Sequence, residues 1–391
     1  MLTAYLRRVQ LVSVPYADHH YRLFADLSGG TRDQPLLKPA DQLLLDWWRA
    51  EGGGAVSVLH DLTGALSVVA GGNLVSITND NHQHDLRVAE LYEANNRAEL
   101  PTIGGPLEDH SASPIGLLRV PKSLALFGLY LHWFARTAPP GARLAAAFMT
   151  RHFSAGLLDA AGRYAGRVTQ SRAFKKARLL FLDDFLPVDN GGQNQENQAR
   201  SQVPTRDVAY GQQTYAQYPG VFAADHVDYA TRFLLDSWTS VPALSELPAP
   251  ERMVDAACGS GIIGDQLLRR YPAARLFAYD VSRVAVASAR RNLTVHGERA
   301  TVELAAELAG EVEPDSVDLV VTNPPFHDGY RNDIGVALEL FADAQDCLKR
   351  GGHLVVVANR HLNYQTHLKR LFTETVTVAE TEKFVVYRCR K

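Results

Sequence analysis

Cysteine is scarce. The 391 residues contain three, Cys258, Cys347 and Cys389, scattered and without a CxxC zinc half-site, which argues against a disulfide framework and leaves buried thiols as the expectation. Long apolar runs are missing as well. No stretch approaches the roughly 20 residues that cross a bilayer as a helix, so no such span is expected. The N-terminus has basic residues after its one short apolar piece and lacks a signal-peptide core with a small-residue cleavage site, so a cytoplasmic protein is expected. Charge of one sign is not in excess: 40 Lys and Arg against 43 Asp and Glu give a formal net charge of -3. Bulk electrostatics therefore cannot hold nucleic acid, and any basic surface must be local. His327, His361 and His367 fit no common metal spacing, and no metal is expected.

A hydrophobic content of 46% with 21% charged residues describes a globular protein, and the length predicts two domains. Between residues 186 and 204 the chain is polar, amide-rich and without apolar periodicity, which predicts a linker. The expected organisation is a domain over 1–185, a linker over 186–210 and a domain over 211–391.

In the second half, short apolar runs alternate with amphipathic stretches. Strands are predicted over 253–256, 275–279, 301–304, 317–322 and 353–358, with helices over 262–270, 283–295, 335–348 and 364–372. That alternation implies a parallel sheet covered on both faces. Two last strands, 375–380 and 384–389, are separated only by Thr-Glu-Lys and must run antiparallel. The first half repeats the rhythm, with helices over 39–49, 65–70, 85–97 and 123–135 and strands over 55–60, 74–78, 115–120 and 144–148, which predicts a second domain of the same architecture.

Three motifs carry chemistry. Met253 to Gly264 reads as a buried strand, a glycine-rich turn and a helix start, where Gly259 and Gly261 let backbone approach a ligand. Alone, that pattern is weak evidence, since glycines also serve ordinary tight turns. About 20 residues on, Asp280 closes the next strand, placed to accept hydrogen bonds from ribose hydroxyls. Asp255, inside the end of the first strand, gives Asp-x-x-x-Gly-x-Gly, which resembles the first motif of class I methyltransferases, where the acid faces the cationic amino-acid end of the cofactor. The third motif, Asn323-Pro324-Pro325-Phe326-His327, follows the 317–322 strand. The Asn oxygen and a Pro carbonyl can accept the two N–H bonds of a conjugated amine and aim its lone pair, while Phe326 offers a face for a flat base.

With these residues in view, the whole chain resembles the bacterial ribosomal RNA guanine-N2 methyltransferases of the large subunit, close to the small-subunit enzymes. The matching pieces are Gly220-Val-Phe222, Asp255 to Gly264, Asp280, Asn323-Pro-Pro-Phe-His, Asn359-Arg-His361 and Lys383-Phe-Val-Val386, and in the first half Leu62-Thr-Gly-Ala-Leu66, Val120-Pro-Lys122 and Ala173-Phe-Lys-Lys-Ala-Arg-Leu179. The resemblance implies two tandem Rossmann-like class I methyltransferase domains, an α/β fold. The first is degenerate, and the second has a seven-stranded mixed sheet ending in an antiparallel hairpin. It implies S-adenosylmethionine as cofactor, held by Phe222, Asp255, Ala257, Gly259, Gly261, Asp280, Val281, Glu307 and Asn323, with Asn323, Pro324, Pro325 and Phe326 as the catalytic set.

The implied substrate is ribosomal RNA, protein-free or in an assembly intermediate, 23S ahead of 16S, taken by a monomer. Where the second half has Asp255 to Gly261, the first has His60-Asp-Leu-Thr-Gly64, and in place of Asn-Pro-Pro-Phe it has Arg119-Val-Pro-Lys122. Such a domain is expected to position RNA, with Lys122, Lys175, Lys176, Arg178 and, in the second half, Arg360 as candidates for phosphate contacts. Three competing readings are methylation of a protein glutamine amide, a non-catalytic RNA-binding protein, and an NAD-dependent oxidoreductase. Against them stand Phe326 where the amide enzymes carry Tyr, the intact motifs, and the lack of a hydride-transfer constellation.

Overall fold

The computed structural model describes residues 9–26, 37–97, 99–188, 203–325 and 334–391. The chain divides between Pro204 and Thr205 into two compact units. The first contains the hairpin β1 (Val9–Tyr16) and β2 (His19–Asp26), then β3 (Val56–Leu59), β4 (Leu74–Thr78), β5 (Thr102–Gly104), β6 (Ile115–Arg119), β7 (Arg143–Met149), β8 (Ala165–Gln170) and β9 (Ala177–Phe185). The second contains the hairpin β10 (Arg206–Tyr210) and β11 (Gln213–Gln217), then β12 (Arg252–Ala256), β13 (Arg275–Asp280), β14 (Ala300–Leu304), β15 (Val317–Thr322), β16 (Leu348–Asn359), β17 (Glu374–Glu380) and β18 (Phe384–Arg390).

The two large sheets have the same seven-strand order. It is β5-β4-β3-β6-β7-β9-β8 in the first unit and β14-β13-β12-β15-β16-β18-β17 in the second. Five strands of each run parallel, and the last pair is antiparallel. Alternate residues of one strand feed opposite cores, as a strand's period of two requires. In β12, Met253 packs in one buried cluster and Val254 in the other, and Leu319 and Val320 of β15 divide the same way. Both faces of the sheet are therefore covered, and the polar groups are left for the strand ends. In each unit the strand order reverses between two neighbouring parallel strands, β12 and β15 in the second, and such a switch point opens a crevice beyond their carboxyl ends.

The structure moves several expected boundaries. Residues 206–210, inside the expected linker, form β10, and 189–202 lie outside the described residues. The 335–348 helix stops at Cys347 because Leu348 already pairs with Val317, so β16 begins earlier than residue 353. The 85–97 helix runs from His82 to Ala94, since the Asn81 side chain accepts from Gln83 N–H and starts it a turn earlier. The 283–295 helix ends at Leu293 and gives way to a 3-10 turn containing Gly297 at φ 56°. Unforeseen elements are the two small hairpins, β5, β8, β9, and the helices Ala155–Gly162, Tyr229–Ser240 and Pro242–Ser245.

Close packing at the glycine turn gives a direct test of this core. A Cβ at Gly264 would lie 2.6 Å from Leu276 Cδ2 and 3.1 Å from Asp255 Oδ2. Gly264→Ala is expected to cost about 1–3 kcal/mol of unfolding free energy, the usual range for overpacking, and denaturant unfolding that matches the parent would refute this packing.

Candidate functional site

At the carboxyl end of β12 the backbone turns through Ala257 at φ 56° and Gly259 at φ 55°, and Gly261 at φ 78° caps the helix Ile262–Arg270. The two glycines differ in what surrounds them. A Cβ at Gly261 would meet Ala289 and Leu293 at 3.2 Å, whereas a Cβ at Gly259 would meet nothing within 4 Å. Gly261 is thus small for packing, and Gly259 presents bare backbone to open space.

Two carboxylates hold this turn. Asp280, ending β13, accepts from Gly259 N–H through Oδ2 and from Ser282 N–H through Oδ1, both at 2.9 Å. Asp255 is wholly buried; its Oδ2 accepts from Gly264 N–H at 2.9 Å, while Oδ1 has no partner among the described residues. Burial, opposed by the Gly264 N–H and reinforced by the negative Asp280, raises the Asp255 pKa to about 7. Burial also raises that of Asp280. A buried carboxylate with an orphan oxygen beside open glycine backbone is chemically incomplete, and a cationic ligand group would complete it. The neighbouring Cys258 thiol is pushed well up by burial and by both acids, so it is inert.

Strand register brings the third motif alongside. Asp255 pairs with Val321 and Ala256 with Thr322, so Asn323 leaves β15 next to Ala257. The Asn323 Nδ2 donates to Asp228 Oδ2 at 2.9 Å and to Thr231 Oγ1 at 3.0 Å. Because a carboxylate only accepts, Asp228 fixes which way the amide points, and Oδ1 is left without a partner among the described residues. Asp228 is also the N-cap of the helix Tyr229–Ser240, accepting from Ala230 and Thr231 N–H at 3.0 Å. Pro324 is buried and Pro325 exposed. Phe326, His327 and the following Asp-Gly lie outside the described residues.

The remaining expected residues are placed as follows. Val281 follows Asp280 and is half-buried, and Glu307 is half-buried beyond the end of β14. Phe222 lies after β11 and is 63% exposed. Arg360, at the end of β16, donates to Thr381 O at 3.3 Å and pairs with Glu380 at 3.6 Å. Sequence reading missed Asp228, Thr231 and Asn292. The last accepts from Ala216 N–H and donates to the Ala216 and Ser260 carbonyls, joining β11 to the glycine turn. The available signal was an Asp followed by an amphipathic stretch, the usual mark of a helix start.

The first unit shows what is lost. By register Leu59 matches Ala256, so Val58 stands for Asp255, Asn79 for Asp280 and Arg119 for Asn323. Gly64 keeps the left-handed cap, but Leu62 stands for Gly259. His60, at φ 56° like Ala257, puts an imidazole where the second unit has a methyl group; its ring lies 5.5 Å from that of Tyr130 and 5.8 Å from that of His84. Burial, aided by the Arg119 cation, lowers the His60 pKa to about 3, so it is neutral. Among the described residues no group of three or more potential metal ligands forms, and no helix is long and apolar enough to cross a membrane.

Comparison with known proteins agrees with this division. Residues 36–185 match the family described as the RLMG N-terminal domain, and 212–388 match the methyltransferase small domain. The ribosomal RNA large subunit methyltransferase G of Pseudomonas syringae pv. tomato is 34% identical over 377 residues, covering 92% of this chain and 95% of that protein. The protein of the same name from Pseudomonas aeruginosa is 34% identical over 362 residues, covering 90% and 92%. Among solved structures, the T. thermophilus 16S rRNA N2 G1207 methyltransferase in complex with AdoMet and guanosine superposes with a TM-score of 0.73 at 21% identity, covering 98% of each chain, a likeness of fold. On the extent of these matches and the glycine turn, paired aspartates and Asn-Pro-Pro strand end described above, the chain belongs to the ribosomal RNA large subunit methyltransferase G family.

Proposed function

We propose that the second unit transfers a methyl group from S-adenosylmethionine to the exocyclic N2 amine of a guanine in ribosomal RNA, large-subunit RNA ahead of small. S-adenosylmethionine-dependent methylation of ribosomal RNA follows from the family. The finer reading rests on one observation: the amide of Asn323 is locked so that its oxygen alone is left to accept a hydrogen bond. Its support also includes the likeness to the solved T. thermophilus 16S rRNA N2 G1207 methyltransferase.

The bound cofactor supplies an electrophilic methyl group on a sulfonium. In this reading Asp255 would accept from its ammonium through Oδ1, the exposed backbone at Gly259 would let it approach, and Asp280 is the candidate for the ribose hydroxyls. Ala257, Val281, Glu307 and Phe222 are further candidate contacts. The guanine amine is a poor nucleophile because its lone pair is delocalised into the ring. Asn323 Oδ1 accepting one amine hydrogen, with the Pro324 carbonyl accepting the other, would turn the lone pair out of conjugation and toward the methyl group; as the nitrogen–methyl bond forms the methyl–sulfur bond would break, its electron pair staying on the sulfur of the departing thioether, and the nitrogen's surplus proton would pass to water. Positioning, not a strong base, then lowers the barrier. Pro325 stiffens the turn, and stacking of the base on Phe326 is part of the proposal.

The first experiment is transfer of labelled methyl to deproteinised large- and small-subunit rRNA, with nucleoside analysis. N2-methylguanosine in the 23S product is expected, and Asn323→Ala should lower turnover at saturating cofactor by about 100-fold or more. Label in neither RNA, with cofactor binding intact, would move the substrate to a glutamine amide. Asp228→Ser keeps a helix cap but is too short to hold Asn323, so turnover should fall about tenfold to 100-fold with little change in thermal stability. Parent-like turnover in that variant would show that the Asp228 bond does not matter. With its pKa near 7 in the free protein, Asp255 is mostly neutral at pH 6 and mostly charged at pH 8. The ammonium favours the charged form, so the cofactor Kd should be about tenfold weaker at pH 6 than at pH 8, and a flat profile would argue against this contact.

A further inference from the structure

Besides Asp255 Oδ1, the second unit buries one more acceptor-only side-chain oxygen that has no partner among the described residues, Oε1 of Gln217. Gln217 ends β11 and is 2% exposed. An amide oxygen taken out of water and left unpaired is costly, and a long side chain gives up rotamer freedom to be buried. A methionine would fill much the same space without the unpaired oxygen. Packing alone therefore does not account for a glutamine here.

Strand geometry gives the side on which this amide lies. Tyr215 and Gln217, two apart on β11, share a face. Tyr215 OH donates to Asp265 Oδ2 at 2.6 Å, and its ring packs in one cluster with Ile262 and Val227. Ile262 opens the helix that follows Gly261, and Asp265 lies in its first turn. The face that carries Gln217 thus covers the same helix start whose Gly264 N–H donates to Asp255 Oδ2. The backbone on both sides of Gln217 is held as well. Ala216, before it, is bound through its N–H and its carbonyl by the side chain of Asn292, which also holds the Ser260 carbonyl of the glycine turn at 2.9 Å. Tyr218, after it, donates its N–H to Ser288 Oγ at 3.1 Å, and Ser288 stands one turn before Asn292 on the helix Arg283–Leu293. One helix therefore fixes both β11 and the glycine turn, and Gln217 is kept between them.

We propose that Gln217 is a further cofactor-binding residue, its Oε1 accepting a hydrogen bond from the ammonium of S-adenosylmethionine beside the one accepted by Asp255 Oδ1. An ammonium carries three N–H bonds, and out of water each needs an acceptor. A further carboxylate would serve badly, because Asp280 already opposes ionisation of Asp255 and burial penalises another charge. A neutral amide oxygen adds an acceptor without adding charge. The proposal rests on the reading that the ammonium lies at Asp255.

The test is calorimetric titration of the full chain with S-adenosylmethionine at pH 8, where Asp255 is mostly charged, comparing the parent with Gln217→Met. Loss of a hydrogen bond to a charged group should weaken the cofactor Kd about 10- to 100-fold, while the Kd for methylthioadenosine, the same nucleoside thioether without the amino-acid chain, should stay within about twofold. Thermal unfolding without ligand should hold or move up, since the variant removes an unpaired buried oxygen. Parent-like affinity for S-adenosylmethionine in Gln217→Met would overturn the proposal. So would an equal loss for both ligands, which would show that Gln217 acts through packing. Asp255→Asn separates this contact from the reading beneath it. Weaker cofactor binding in Asp255→Asn, with parent-like binding in Gln217→Met, would overturn the Gln217 contact alone, whereas parent-like binding in both variants would overturn the placement of the ammonium itself.

Discussion

The hydrogen bond between the Asp228 carboxylate and the Asn323 amide joins two parts of the second unit that are 95 residues apart in sequence. One end is a helix cap, the other the end of the strand beside the glycine turn. A cap of this kind contributes about 1 kcal/mol, and here the same half-buried oxygen also decides the polarity of an amide. Thr231, one turn into the helix, takes the second amide hydrogen. Loosening that helix start would disturb both the packing of its buried face, which includes Leu234 and Trp238, and the direction of the side-chain acceptor the candidate chemistry needs. Stability and orientation are coupled through a single side chain.

The two units put the same arrangement to different ends. In each, the first turn of the first helix reaches the end of the fourth parallel strand. In the second unit a neutral amide is held there by Asp228 and Thr231; in the first, Arg119 pairs with Asp41 at 2.8 Å with both groups largely buried. The glycine turn shows a parallel contrast. Where the second unit keeps open backbone and an unsatisfied carboxylate oxygen, the first has a leucine, a valine and a neutral histidine against Tyr130. Backbone that the second unit leaves open is covered by side chains in the first.

The sequence was most legible where structure is local. The glycine turn, Asp255, Asp280 and Asn323 each close a buried strand within a few residues of a recognisable start or stop, and a period-two apolar run next to a glycine or proline leaves little freedom in where the strand ends. The final β17–β18 pair could be read because three residues cannot carry a parallel connection. Partners distant in sequence were not legible: nothing in Asp228 or Asn292 by itself says that one holds Asn323 and the other the Ser260 carbonyl. The helix Tyr229–Ser240 was missed although its Asp cap was present. Strands β8 and β9 were missed because the Lys-Lys turn between them lacks the Asn-Gly signature of a tight hairpin.

The Arg119–Asp41 pair also bears on history. Restoring an asparagine at position 119 would strand a buried aspartate, and a buried pair broken on one side costs about 3–5 kcal/mol, a large part of the 5–15 kcal/mol by which a domain is usually stable. Placing an acid at Val58 would bury a further charge before any ligand was present to neutralise it. Each reversal is harmful until the others have been made. Position 119 and position 58 are therefore each fitted to the packing around them, and a single change at either would weaken the first unit before it could offer a ligand anything.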